Sequence, residues 1–319
     1  MAPAKKPSRT AKKGTVASAR ATPSAEDTTL LPFQNPDQAM KFEHLEDVSF
    51  LVGRYISDEA ITALNATAEV EGYLSVGTWR RNFSITDDTH RTLTLELLAT
   101  LEVDKKHLHE VDYPGTLQFR LGNRFFRLSC TEFSTAMGLY DEDFTKTNEY
   151  RSLTQELQAT QQMYWQSVTN QRIYHPGQSK ASALWSPALR YLHYVLAHTL
   201  TDRNSSMSVV TSDDLKYIWS MERRVPIHVG YCLARLFARQ ASDGRIRTIA
   251  VGPYVTRLAH GLHVTTFFRE SPASTMRPAG VDVLIQIGLV WRRMRGDNSL
   301  EIKAPTDNAA DEGTSVTTI

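Results

Sequence analysis

His228 and Cys232 stand four residues apart in a segment whose apolar spacing, from Pro226 onward, predicts a helix. Residues four apart share a helical face. The pair therefore has the composition of a thiol nucleophile with its base, or of half a metal site. The same spacing argues against both. Cys232 falls in the stripe Val229, Cys232, Leu233, Leu236 and Phe237, where a cysteine packs as a small hydrophobe. His107 with His109, His193 with His198, and His260 with His263 are further pairs, and each lacks companion ligands nearby in sequence. Packing or surface exposure explains them without chemistry.

Other chemical signatures are missing. The 319 residues contain no Asp-Ser-Gly or Asp-Thr-Gly of an aspartic protease and no Tyr-x-Asp-Asp of a polymerase. They also contain no phosphate loop and no nucleophile elbow. A zinc knuckle needs three cysteines and a histidine at close spacing, and the chain has two distant cysteines, Cys130 and Cys232. No catalytic residue, metal, cofactor or small-molecule substrate is expected. Leu128-Ser129-Cys130-Thr131-Glu132 matches Leu-x-Cys-x-Glu, a docking motif for retinoblastoma-type pocket proteins. Docking needs an accessible extended segment, and these residues are expected to end a strand and start a helix.

Charge is the stronger signal. Residues 1–25 carry Lys5, Lys6, Arg9, Lys12, Lys13 and Arg20 and no acid; removing those six leaves 30 basic against 35 acidic residues, a net of −5. Between Met221 and Arg295 twelve arginines face four acids. Such excesses attract phosphate. The expected nucleic-acid-binding residues, to RNA or DNA, are Lys5, Lys6, Arg9, Lys12 and Lys13 in the tail, and Arg235, Arg239, Arg292, Arg293 and Arg295 in the later half. The plain reading is solvated helix faces and a solubilising tail. Paired lysines also suit nuclear import, and an organelle transit peptide is a rival reading of an acid-free Ala/Ser/Thr-rich start. With sparse cysteine and no apolar run long enough to span a bilayer, a nuclear or cytoplasmic protein without membrane contact is expected.

The elements that position these residues read as mainly α: a multi-helix globular body with one small β-hairpin and disordered termini. Residues 1–34 form a disordered basic tail, 35–296 the helical body with a possible sub-boundary near 141–180, and 297–319 a second disordered tail. Asn35 caps a first helix opened by Pro36, with Met40, His44, Leu45, Val48 and Val52 at helical spacing. Thr89–Val103 is a leucine-rich helix. Asp141–Gln178 is a polar connection with one helix around Leu153–Val168. Leu184–Leu200 carries the stripe Trp185, Leu189, Leu192 and Leu196. Further helices start at Thr211, with Leu215, Ile218 and Trp219 inward, at Pro226, and at Gly252-Pro253, with Val255, Leu258 and Leu262 on one face. Residues 281–295 suit strand or helix.

The hairpin lies in Tyr113–Tyr140. Two alternating runs flank Gly122-Asn123, a two-residue loop that closes hairpins. That register sets Leu121 against Arg124, Phe119 against Phe126, and Leu117 against Leu128. One face is then apolar, while Gln118, Arg120 and Arg127 occupy the other with Phe125. Ser129 or Thr131 caps the helix that follows, and Gly138 ends it. The hairpin, the Thr131-Glu132-Phe133 helix start and the closing Met137-Gly138-Leu139 resemble the first-open-reading-frame, gag-like protein of Athila-type plant retrotransposons of the gypsy class. That family is related to plant mobile-domain proteins. The stretch Gly252-Pro253-Tyr254 through Val264 supports the resemblance, which spans residues 36–296. The resemblance implies a helical body that self-associates around element RNA without catalysis. Its alternative is a host nuclear adaptor of mobile-domain ancestry, acting by protein–protein interaction.

Overall fold

Asn35 and Pro36 do what their residue types dictate. In the computed structural model, which describes residues 33, 35–155, 160–201, 203, 207–242, 244, 246–264, 270–292 and 300–302, the Asn35 side chain accepts the Gln38 N–H and Pro36 opens α1 (Pro36–Glu46). Leu45 and Val48 are buried, but Met40 and Val52 are exposed. The expected stripe breaks because the helix stops at Glu46 and the chain extends into β1 (Ser49–Phe50) and β2 (Arg54–Ile56). Ser57 caps α2 (Asp58–Ala63), and α3 (Thr67–Leu74) and α4 (Trp79–Phe83) follow.

The leucine-rich segment forms α5 (Arg91–Thr100), with Leu93, Leu95, Leu97 and Leu98 fully buried. It is buried on nearly every side from Leu93 to Thr100, with Thr94, Glu96 and Thr100 included, and α1 packs against it. It ends sooner than its spacing predicts, because Glu102–Val103 leaves as strand β3 to pair with the first hairpin strand. The hairpin, β4 (Leu117–Leu121) and β5 (Arg124–Leu128), has the expected register throughout. Gly122 and Asn123 both take positive φ, the requirement of the turn type that suits twisted strands. Ser129 caps α6 (Cys130–Ala136) in a reciprocal capping box with Glu132, and Gly138 ends it at positive φ.

Among its described residues the polar connection holds three short helices, α7 (Glu142–Thr145), α8 (Asn148–Arg151) and α9 (Gln161–Val168), in place of the one expected. Thr147 and Thr160 cap the last two. Beyond a 3₁₀ turn at Ala181–Ala183, Ser186 and Pro187 start α10 (Pro187–Ala197). Trp185 therefore lies ahead of the helix and is exposed, while Leu189, Leu192 and Leu196 are buried. Thr211 caps α11 (Ser212–Glu222), which buries Leu215 and Ile218 and half-buries Trp219. The strongest amphipath becomes α12 (Val229–Ser242). It begins three residues after Pro226, because Ile227 bridges Thr154 and the His228 N–H is donated to the Thr154 carbonyl. The chain closes with β6 (Thr248–Ile249), α13 (Gly252–Gly261), β7 (Arg277–Ala279), α14 (Val281–Gln286), β8 (Val290–Arg292) and β9 (Leu300–Ile302).

The fold is thus mostly helical, but the expectation of a single hairpin is corrected in three places. β3 widens the hairpin to three strands, β8 and β9 pair antiparallel, and β1–β6 and β2–β7 are parallel pairs. The parallel pairs tie the start of the body to its end. Tyr191 reinforces this closure by accepting the Ser57 N–H and donating to the Ala279 carbonyl, both at 2.8 Å. Of the expected segment 281–295, Val281–Gln286 is helix and Val290–Arg292 is strand, residues 293–295 lie outside the described residues, and Leu300–Ile302 is a strand within a tail expected to lack structure. Buried side chains from Leu45 to Val290 form one continuous core cluster.

Candidate nucleic-acid interface

A surface groove of about 620 Å³ runs along the outer face of α12. Tyr231, Arg235, Ala238, Arg239 and Ser242 line one wall, and Lys105, Leu108 and His109 line the other. The first wall follows from helical periodicity: with Val229, Cys232, Leu233, Leu236 and Phe237 turned into the core, positions 235 and 239 must face outward together. Both arginines are exposed. The second wall belongs to the loop between β3 and β4. Asp104 organises it by accepting the Lys106 N–H at 3.0 Å and the His107 imidazole at 2.7 Å. His107 also stacks on Tyr113 with centroids 3.9 Å apart. Leu108 is buried as an anchor, which leaves Lys105 and His109 on the solvent side.

The groove has cationic walls, and the largely buried Tyr231 ring lies behind one of them. The Arg235 guanidinium lies over the Tyr231 ring at 5.9 Å, and the Lys216 ammonium approaches the same ring at 6.0 Å. No carboxylate is among the described lining residues. Arg239 pairs with Asp213 at 3.3 Å, an exposed contact that competing anions can replace at little cost. Arg235 and Arg239 also line a smaller hollow of about 80 Å³ with Lys216 and Cys232.

Of the ten basic residues expected to meet nucleic acid, only Arg235 and Arg239 have described side chains, and the fold sets them side by side. Arg292 lies in β8 with only its backbone described. Lys5, Lys6, Arg9, Lys12, Lys13, Arg293 and Arg295 lie outside the described residues. The sequence reading missed Lys105 and assigned His109 to a histidine pair. The one local signal was the doublet Lys105-Lys106 next to a loop of turn-forming residues.

The histidine–cysteine pair is not a catalytic dyad. The Nδ1 atom of His228 accepts the Tyr231 N–H at 2.9 Å, so Nε2 carries the proton toward the Tyr150 hydroxyl at 2.9 Å. Tyr150 donates to Thr131, and Thr131 donates to Asp112 at 2.6 Å. Both ring nitrogens are therefore engaged away from the thiol. Burial pushes the Cys232 thiol up, and pushes that of Cys130 up to about 12. The Leu-x-Cys-x-Glu match is folded away as well. Cys130 is fully buried, and Glu132 closes the α6 capping box.

A buried polar cluster forms around Asp214, which accepts from Thr201, Arg203 and both the N–H and hydroxyl of Thr211. His193 lies 3.4 Å away. Burial raises the Asp214 pKa, but His193, Arg203 and Thr211 outweigh it and hold the carboxyl below its ordinary value. The cluster anchors the start of α11. None of the described hollows opens onto it.

A third hollow, of about 380 Å³, is lined by Leu139, Tyr140, Phe144, Leu153 and Pro226, with Asp141 and Glu149 among the polar residues. Among the described residues no three His, Cys, Asp or Glu are grouped to hold a metal, and no helix is long and apolar enough to cross a membrane.

A family model described as the ATHILA ORF-1 family matches residues 23–221, more than half of the chain. The match starts earlier and stops earlier than the resemblance suggested. It includes the hairpin and the Lys105 loop but not α12 or the stretch from Gly252 to Val264. No curated protein and no solved structure matches the chain.

Proposed function

The chain belongs to the ATHILA ORF-1 family, and on that premise we propose that this retrotransposon-derived protein is a non-enzymatic, gag-like structural protein. In this reading it self-associates and binds nucleic acid through its basic segments, in the nucleus or cytoplasm. One observation carries the binding part: Arg235, Arg239 and Lys105, from elements far apart in sequence, converge on a groove whose described lining residues include no carboxylate. Arginines held on a rigid helix meet phosphate oxygens with fixed spacing. The adjacent Tyr231 is buried, and its ring lies under the Arg235 guanidinium, which helps to hold that arginine in place.

The test is the salt dependence of single-stranded RNA binding by the full chain and by an Arg235→Gln/Arg239→Gln variant. Each lost phosphate contact on a single strand removes roughly 0.7 from the slope of log K against log salt. The variant should bind more weakly with a slope shallower by about 1.4, because two such contacts are lost. Affinity unchanged between low and high salt would contradict phosphate contact altogether. Light scattering behind size-exclusion chromatography, with and without added RNA, tests the assembly part: growth with RNA is expected.

The hollow bordered by Phe144, Leu153 and Pro226 favours a second reading. There the protein is a host nuclear adaptor of mobile-domain ancestry, acting by protein–protein contact. A small species indifferent to RNA would support it.

A further inference from the structure

β5 is an edge strand. The sheet order is β3–β4–β5, so among the described residues β5 has a strand neighbour on one side only. In the hairpin register Leu121 faces Arg124, Phe119 faces Phe126 and Leu117 faces Leu128. These are the hydrogen-bonded pairs of a two-residue hairpin, so the N–H and C=O groups of Phe125 and Arg127 point away from β4. The other strand confirms the alternation: the Arg120 N–H, opposite Phe125, is donated to Thr100 on the far side. The backbone groups of Phe125 and Arg127 have no partner among the described residues. Arg124, Phe125 and Arg127 are all exposed, with Phe125 at 47%.

An open edge with unpaired backbone is a template for another strand. Charged residues often blunt such edges, and β5 carries two arginines. Their placement decides whether they block a second copy. Antiparallel pairing of two β5 strands about a two-fold axis at Phe126 sets Phe125 against Arg127 of the other copy, and Arg124 against Leu128. No arginine meets an arginine. The Phe125–Arg127 positions are the ones with free backbone groups, so they form hydrogen-bonded pairs. The same two side chains lie on one exposed face, where a guanidinium across from an aromatic ring is attractive. Shifting the axis by one residue in either direction loses this match. An axis at Arg127 sets Arg127 against itself, and one at Phe125 shortens the overlap.

We propose that β5 is a self-complementary docking edge through which two copies of this chain join their three-stranded sheets into one six-stranded sheet. The interface deepens the self-association reading above and rests on it. It needs no apolar patch, since backbone hydrogen bonds supply attraction and the Phe125–Arg127 pairs supply register.

The experiment measures the mass of the full-length, nuclease-treated chain by sedimentation and light scattering over a concentration series. It compares the wild type, Phe125→Lys, and Phe125→Lys combined with Arg127→Glu. Phe125→Lys sets like charges opposite each other and should weaken dimerisation at least about tenfold. The double variant sets opposite charges there and should restore the dimer. Both positions are exposed, so far-ultraviolet circular dichroism should stay at the wild-type spectrum. A wild type that associates while Phe125→Lys associates equally well would overturn the edge and leave self-association standing. Loss in the single variant without recovery in the double would overturn the register. A wild type that stays monomeric with and without RNA would remove the self-association reading, and this interface with it.

Discussion

His228 donates to Tyr150 and accepts from Tyr231, so adding a proton at Nδ1 would set a donor against a donor. Burial lowers its pKa to about 4 from an ordinary 6.5. The unfolded chain therefore takes up a proton that the native chain refuses between those values. Stability is fully present above about pH 6.5 and is lost as pH falls toward 4, by an amount on the order of 3 kcal/mol. Denaturant unfolding at pH 7 and at pH 4.5 should show this loss. His228→Asn should be less stable at pH 7 and should lose less on acidification. His198, also lowered by burial, adds to the fall with the same sign. Cys130 makes a sharper prediction. It is fully buried with its thiol pushed up to about 12, so a maleimide should label it only after denaturation. Rapid native labelling at Cys130 would show that the start of α6 opens. The apolar stripe already placed Cys232 as a packed hydrophobe, and the structure buries it, but the spacing says nothing of which way the His228 ring turns when Tyr150 lies across from it.

At the scale of elements, close approach and turn support decide more than propensity. A Cβ at Gly261 would lie 1.8 Å from the Ala136 carbonyl oxygen, so α13 crosses the end of α6 only because no side chain intervenes. Gly261→Ala should cost about 2 kcal/mol or more by overpacking against backbone. Chemical denaturation measures it, and an unchanged midpoint would mean the helices separate freely. The hairpin turn depends on Glu96 of α5. Its buried carboxylate accepts the Gly122 N–H at 2.6 Å and the Asn123 N–H at 2.9 Å. Glu96→Ala leaves both donors without that acceptor and should destabilise the protein by about 2 kcal/mol. Amide exchange at Gly122 and Asn123 should accelerate. The hairpin register, the cap at Asn35, a cap at Ser129 or Thr131, the helix start at Thr211 and the stop at Gly138 were all readable, since each depends on neighbours within a few residues. Glu96 was not, because nothing near it in sequence marks it as the acceptor for a turn on another element.

For the whole molecule the dominant asymmetry is charge. Residues 1–25 hold six cations and no acid, while the remainder is net −5. Removing those residues should make the salt slope for single-stranded RNA shallower by up to about 4, against about 1.4 for the groove arginines. Competition titrations with both variants separate the two contributions, and a truncation that leaves the slope unchanged would assign binding to the body alone. By itself the sequence determined the helical class, the hairpin with its register, the apolar stripe of α12, the tail's charge and the family. Each is a local pattern or a composition, and local sterics, capping and burial periodicity act within a few residues. Only the tertiary structure decided that β1 pairs with β6 and β2 with β7, and that the Lys105 loop faces Arg235 and Arg239 to make a groove. It alone decided that β5 is an edge strand among the described residues. Those outcomes depend on which buried surfaces meet after the chain closes on itself, and contacts between distant segments leave no periodic trace in either one.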